Sequence, residues 1–226
     1  MEEVQLVTLL MFARSVALAS LVFAIAAFAL RWRATMRRPF ALDRSPSKGD
    51  PKSGVLYAFS LGMMPWAKES TRRHLLAYLR GIGFHVGIFA GLLALLVSPF
   101  WPRLPQAVPL AFAAPTALGA AFGLAGVVMR WAERNLRRLS TPDDHASVLL
   151  VTAFLAATSA ALAHPAWMPA MYLSGALLFL YAPLGKIRHC IYFFFSRLFF
   201  GLFIGRRAVV HPRSVQARPS SVAGRG

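Results

Sequence analysis

The sequence predicts an all-α integral membrane protein, a bundle of five transmembrane helices. The 226-residue chain is 57% hydrophobic and only 15% charged, and its charges cluster between long apolar runs. A bilayer core about 30 Å thick needs roughly 20 apolar residues per helix, and five runs approach or reach that length. No run shows the alternation of apolar and polar residues that predicts a strand.

The five apolar runs predict the five helices in order. They are Met11–Leu30, Gly81–Phe100, Ala107–Met129, Ala146–Ala163 and Ala166–Ile191. The first contains Arg14, which lies one turn from the helix end and can extend its guanidinium to the lipid headgroups. Short turns containing Pro and Trp join the second run to the third and the fourth to the fifth, so these pairs are predicted to be antiparallel neighbours.

Lys and Arg lie almost entirely on one side of the predicted bundle. Of the 25 basic residues, 23 fall in segments 31–80, 130–138 and 186–226, and the opposite side has only Arg14 and Arg103. The positive-inside rule therefore predicts an N-terminus outside and a C-terminus in the cytoplasm. The same rule explains the net charge of +17, so membrane lipid is the expected contact and nucleic-acid binding is not expected.

The predicted domains are a five-helix membrane domain over residues 1–204, with a cytoplasmic loop over 31–80, and a basic tail over 205–226. The tail has little to bury and is expected to be disordered. Gly54–Trp66 is apolar but too short to span, and Tyr192–Ile204 is strongly aromatic. Both are expected to lie at the membrane interface or to contact a partner. The chain has a single cysteine, Cys190, so it cannot form an internal disulfide. The Cys190 side chain is expected to be buried.

Two of the six histidines, His85 and His189, lie within or at the edge of apolar runs. The helix with His85 enters from the predicted cytoplasmic side and the helix with His189 returns to it, so the two imidazoles are expected at similar depth. Such a pair can bind one haem iron from both faces, because neutral imidazole is a common axial ligand. The simpler alternative is that each histidine is a hydrogen-bonded packing residue.

Small residues flank both histidines, as a flat cofactor requires. Gly81 lies four residues before His85. If the fifth helix is continuous, Ala182 and Gly185 lie within about 40° of His189 on the helical wheel. These three small residues are predicted to give the ring clearance.

Cations lie at the same level as the histidines and are predicted to pair with haem propionates. They are Arg80, Lys186 and Arg188. Three glycines at four-residue spacing lie on another face of the second helix and are expected to allow close helix packing. They are Gly83, Gly87 and Gly91.

Two short motifs resemble those of respiratory nitrate reductase gamma subunits. Phe84–Ile88 (FHVGI) is similar to F-H-x-G-I in the second helix of that family, and Pro183–His189 (PLGKIRH) to the P-x-x-[RK]-x-x-H end of its fifth helix. Ser140–Asp144 (STPDD) looks more like related cytochrome b subunits of sulfite-reduction and heterodisulfide-reductase-like complexes. The resemblance covers most of residues 10–200.

The resemblance implies a membrane-anchor cytochrome b subunit of a quinol-linked oxidoreductase in the bacterial inner membrane. Such a subunit transfers electrons between the quinone pool and a cytoplasmic iron–sulfur partner through haem b. His85 and His189 would be the axial ligands. No residue is expected to act as a catalytic nucleophile or general acid.

The sequence departs from that family at the ligands of a second, outer haem. Leu95 and Met171 stand at those positions, and leucine cannot ligate iron. One haem is therefore expected, and a second bound by other residues stays open, with His74 as the main spare candidate. His145 and His164 are expected to be loop or cap residues, although a role at a quinone site is open for either.

Two other classes of function remain as alternatives. A non-redox membrane scaffold or assembly subunit would use the basic face to bind a partner. A small transporter would typically carry an acidic residue inside the membrane, and no predicted span contains Asp or Glu.

Reporter fusions test the predicted orientation. A fusion after Phe100 or after Pro165 should read as outside, because both positions lie opposite the basic segments. A fusion after Arg138 is the matched control and should read as inside. An inside reading after Phe100 or Pro165 would contradict the predicted topology.

Overall fold

The computed structural model describes residues 2–39, 45–67 and 69–209. Over these ranges the chain is helical, without a strand, and five helices are long and apolar enough to cross a bilayer. They are Val4–Met36, Leu75–Arg103, Ala107–Ala132, Pro142–Ala163 and Lys186–Arg206. The prediction of an all-α membrane protein with five such helices is confirmed.

The α-helices are numbered in chain order, and 3₁₀ turns connect several of them. They are α1 Glu2–Met36, α2 Pro51–Phe59, α3 Glu69–Arg73, α4 Leu75–Val97, α5 Ala107–Ala132, α6 Arg134–Leu139, α7 Pro142–Ala163, α8 Met168–Tyr181 and α9 His189–Arg206. The loop predicted over 31–80 is shorter than expected, because α1 continues to Met36 and α4 begins at Leu75.

The chain forms two compact units, and the first comprises Met1–Arg37 and His74–Cys190. In this unit α1 packs on α8, α8 on α7, α7 on α5 and α5 on α4, and α4 also contacts α7. Phe154, Leu155 and Met171 are fully buried in its core. Outward-facing side chains such as Phe89 and Leu118 are 69% and 57% exposed. Apolar side chains of this size on the surface of a membrane helix contact lipid.

The two ends of the first unit differ in polarity. At one end, Asp144 Oδ1 lies 2.6 Å from Lys186 Nζ and 4.0 Å from Arg130 Nη1. At the other end, the hydroxyls of Ser98 and Tyr172 form a buried hydrogen bond of 2.7 Å. We call the end marked by Asp144, Lys186 and Arg130 the charged end.

The fifth apolar run is interrupted, so the prediction of one helix over Ala166–Ile191 is wrong. α8 ends at Tyr181, a turn follows, and α9 begins at His189. Pro183 causes the break, because it has no N–H and its ring would clash with the carbonyl of the preceding turn in a continuous helix. α8 has 14 residues and is followed by the longer apolar segment Lys186–Arg206.

The second unit comprises Arg38–Arg73 and Ile191–Gly226. Asp50 caps α2 by accepting hydrogen bonds from the backbone N–H groups of Lys52 and Ser53, both at 3.0 Å. The Ser53 hydroxyl also donates to Asp50 at 2.6 Å, and these bonds hold the pKa of Asp50 below its ordinary value.

Small residues let α2 and α9 approach closely in the second unit. A Cβ at Gly54 would lie 2.5 Å from Gly205 Cα, and one at Gly201 would lie 2.5 Å from Val55 Cα. The aromatic segment Tyr192–Ile204 thus lies within a helix that packs on α2. Gly205 and Arg206, predicted in the tail, also belong to α9, and residues 210–226 lie outside the described residues.

Close contact between α4 and α5 confirms the packing role predicted for Gly87. A Cβ at Gly87 would lie 2.6 Å from Gly119 Cα and 2.9 Å from the Pro115 carbonyl oxygen. Gly83 faces the Phe122 ring and Gly91 faces Leu155. In lipid there is no hydrophobic gain between helices, so such van der Waals contacts hold the bundle together.

We predict that Gly87→Ala destabilises the first unit by about 1–3 kcal/mol, as expected for overpacking a tight contact. The added methyl meets backbone atoms, so the helices themselves must separate. Thermal unfolding in detergent, followed by circular dichroism, measures the effect. Gly126→Ala on α5 is the control, because a Cβ there has no neighbour within 4 Å, and equal midpoints for the two variants would refute the packing role.

Candidate functional site

The structure brings His85 and His189 together in the first unit. Their ring centroids are 6.5 Å apart and their planes meet at 82°. His85 lies in the N-terminal half of α4, and His189 is the first residue of α9. Both side chains are exposed at the surface of the unit. The adjacency predicted from the sequence is therefore present, although the second histidine begins a helix instead of ending one.

Hydrogen bonds to backbone carbonyls fix both imidazoles in the same tautomer. His85 Nδ1 lies 2.7 Å from the Gly81 carbonyl oxygen, and His189 Nδ1 lies 2.8 Å from the Lys186 carbonyl oxygen. A carbonyl oxygen can only accept, so Nδ1 carries the proton in each ring. The Nε2 lone pairs are then available to a metal, which is the arrangement usual for ligating histidines.

The spacing of the two rings fits ligation of one metal from opposite sides. An imidazole nitrogen binds a metal at about 2.0–2.1 Å, and the ring centre lies roughly 1.2 Å beyond that nitrogen, so two such rings have centres roughly 6–7 Å apart. The observed 6.5 Å falls in this interval. The angle between the planes is compatible, because each ring can rotate about its own metal–nitrogen bond.

The two histidines alone suit a metal whose other ligands come from a cofactor. Within the described ranges no group of three or more His, Cys, Asp or Glu side chains is placed to hold a metal ion. A porphyrin supplies four nitrogens to its iron and needs only two axial ligands from the protein. Two histidines are as many protein ligands as a haem iron requires.

Open space borders the His85 side of the pair. A Cβ built on Gly81 has no neighbour within 4 Å, and the carbonyl of the same residue accepts the His85 hydrogen bond. Ring clearance by Gly81 stays a prediction.

The surroundings of Ala182 and Gly185 differ from the expectation. The helical-wheel argument for both is wrong, because the helix ends at Tyr181. Gly185 instead makes room for Tyr181, whose hydroxyl would lie 2.7 Å from a Cβ at this position. Ala182 is 6% exposed and lies in the turn between the helices. Ring clearance by these two residues stays a prediction, and the Tyr181 contact already accounts for the glycine.

The three predicted propionate cations differ in their contacts. Lys186 forms an ion pair with Asp144 at 2.6 Å. Arg80 contacts the Met129 sulfur of α5. The Arg188 side chain is exposed and has no hydrogen bond or ion pair within the described residues. Arg80 and Arg188 therefore remain the better candidates to pair with propionates, and Lys186 serves another contact.

The turn that presents His189 is fixed by the start of α7. Asp143 Oδ1 accepts the hydrogen bond of the Lys186 backbone N–H at 3.2 Å and a further one from the Tyr181 hydroxyl. Asp144 accepts from Lys186 Nζ and from Thr141, which caps α7 in a capping box. Sequence reasoning missed these roles. One sequence feature could have indicated them: two adjacent aspartates precede an apolar run in a chain that has only eight acidic residues.

Three further histidines lie at or near helix ends. His74 is the exposed N-cap residue of α4, eleven residues before His85. His164 caps the 3₁₀ turn after α7 by accepting the Ala166 N–H at 3.3 Å, which confirms the predicted cap. His145 lies in the first turn of α7, and its Nδ1 is buried with no hydrogen-bond partner in the described part of the chain.

Leu95 and Met171 stand where the similar family has the ligands of its outer haem, and both side chains pack in the core. Leu95 is 5% exposed and Met171 is fully buried. A cavity of about 150 Å³ beside Leu95 is lined by Arg14, Tyr172 and neighbouring apolar side chains. This volume is below the roughly 300 Å³ at which small-molecule pockets begin.

Cys190 follows His189 and is exposed, so the prediction of a buried side chain is wrong. Its place at the start of α9 explains the exposure, because the next residue, Ile191, takes the buried position.

Comparison with known proteins adds no relative: no protein-family model, curated protein or solved structure matches this chain.

Proposed function

We propose that this protein is a membrane cytochrome b, in which His85 and His189 bind one haem b as axial ligands. The observation that carries the proposal is the matched pair of imidazoles. Their centres are 6.5 Å apart and both Nδ1 atoms are bonded to backbone carbonyls. The two motifs similar to nitrate reductase gamma subunits support the same cofactor.

The chain holds and orients the cofactor in this proposal. Haem b, when bound, supplies one-electron redox chemistry that amino-acid side chains lack. His85 and His189 hold the iron, and Gly81 leaves room beside the first ligand. Arg80 and Arg188 are the cations that neutralise the propionates. Because Leu95 and Met171 stand at the positions of the outer ligands, one haem per chain is expected.

The proposed role is to carry electrons between the quinone pool and a cytoplasmic iron–sulfur subunit. The haem would lie at the charged end, and the positive-inside rule assigns that end to the cytoplasm of a bacterial inner membrane. A site there needs an electron partner on the same side. The basic segment 31–80 is the surface we assign to that partner.

Alanine variants of the ligands test the haem assignment. His85→Ala and His189→Ala should each abolish the low-spin haem b bands in the dithionite-reduced spectrum, because six-coordinate iron needs both imidazoles. His74→Ala and His164→Ala are the matched controls and should keep the spectrum. All four proteins are compared at equal purity, with the unfolding midpoint recorded for each.

Two outcomes would overturn this assignment. A normal low-spin spectrum in His189→Ala would remove that residue as a ligand. Wild-type protein that never contains haem, even when expressed with ample haem supply, would favour the non-redox scaffold.

Copurification tests the proposed partner. The tagged chain, extracted from its native membrane in mild detergent, should recover a protein containing stoichiometric iron and acid-labile sulfide. Charge reversals Lys52→Glu and Arg72→Glu should reduce the recovery, because both exposed cations lie in the basic segment 31–80. Arg103→Glu is the control and should not reduce it. A lone subunit that is stable and oxidises quinol with a soluble acceptor would contradict the proposal.

A further inference from the structure

We infer that Asp143 and Asp144 are positioning residues for His189, and that in the Asp144–Lys186 ion pair each charge cancels the effect of the other on the redox potential of the site. This inference rests on the proposed haem function. It concerns how the second ligand is held, which the resemblance to known subunits does not address.

The route from α7 to His189 runs through Lys186. The Lys186 backbone N–H donates to Asp143 Oδ1 at 3.2 Å, and its ammonium group donates to Asp144 Oδ1 at 2.6 Å. The carbonyl of the same residue accepts the His189 Nδ1–H bond at 2.8 Å. One residue therefore links both aspartates to the imidazole.

Tyr181 fixes the other side of the same turn. Its hydroxyl donates to the Asp143 carboxylate and lies 3.2 Å from the Ser147 hydroxyl. The missing side chain at Gly185 lets its ring lie against the turn. Asp143 thus joins the end of α8 to the residue that holds His189.

The first ligand is held in a different way. His85 Nδ1 bonds the Gly81 carbonyl one turn earlier in the same helix, so α4 alone fixes its orientation. His189 depends on a turn between two helices, and the turn depends on Asp143 and Asp144. Changes at the start of α7 should therefore alter His189 and leave His85 unchanged.

The ion pair also places two opposite charges beside the second ligand. Asp144 is 9% exposed and also lies 4.0 Å from Arg130, whereas the Lys186 side chain is 53% exposed, so solvent screens the cation more than the anion. Asp144→Asn leaves the Lys186 cation, which favours the reduced, less positive iron and raises the midpoint potential. Lys186→Met leaves the Asp144 anion and lowers the potential. The double variant should return most of the way to the wild-type value.

Redox titration of the haem-loaded full chain tests the electrostatic part. Opposite shifts in the two single variants, largely cancelled in the double variant, are the expected result. Asp50→Asn removes a helix-capping aspartate outside this network and should leave the potential unchanged. Shifts of the same sign in both single variants, or none, would overturn the inference and leave the haem proposal intact. Wild-type protein without haem would instead refute the proposed function.

Nitrogen NMR of the ¹⁵N-histidine-labelled full chain, purified without haem, tests the positioning part. The His189 signal, assigned by its loss in His189→Gln, should show an Nδ1-protonated ring. Asp143→Ala should shift it toward a mixture of tautomers while the His85 signal stays unchanged. Asp143→Asn should restore the signal, because the amide oxygen can still accept the Lys186 N–H. An unchanged His189 signal in a folded Asp143→Ala protein would refute the positioning role.

Discussion

The site depends on the hydrogen bonds that tie the turn after α8 to the start of α7. Pro183 ends α8, and without an external anchor the following residues would have no fixed path. Asp143 and Asp144 supply that anchor through Lys186 and Tyr181. The turn therefore places His189 next to His85. Charge-assisted hydrogen bonds suit this task, because they are stronger and more directional than apolar contacts.

Helix packing fixes the position of α7, whose first turn carries Asp143 and Asp144. α7 contacts α4, α5 and α8, and its Phe154 and Leu155 are fully buried. Gly87 and Gly119 bring α4 and α5 into backbone contact. In a bilayer these contacts replace the hydrophobic effect as the source of helix association. The N-terminus of α7 is thereby fixed relative to the segment of α4 that carries His85.

Much of this organisation could be predicted from the sequence. Apolar run lengths identify four of the five long helices, and the depth of His85 and His189 in opposite runs predicts their adjacency. The interruption at Pro183 was missed, although Pro and Gly two residues apart are a strong signal for a turn. Because the helix ends before these residues, helical-wheel angles relative to His189 do not apply to Ala182 and Gly185. The Lys186–Asp144 pair could not be predicted, because it joins side chains 42 positions apart whose contact depends on how α7 and α8 pack.

In the proposed site, two imidazoles in one tautomer bind a single haem iron per chain. The pyridine haemochrome assay on purified protein, combined with quantitative amino-acid analysis, measures haem type and stoichiometry together. We expect haem b at about one per chain, as two axial imidazoles imply. A ratio near two would show that the core around Leu95 and Met171 does not exclude a second site, and a ratio near zero would refute the haem proposal.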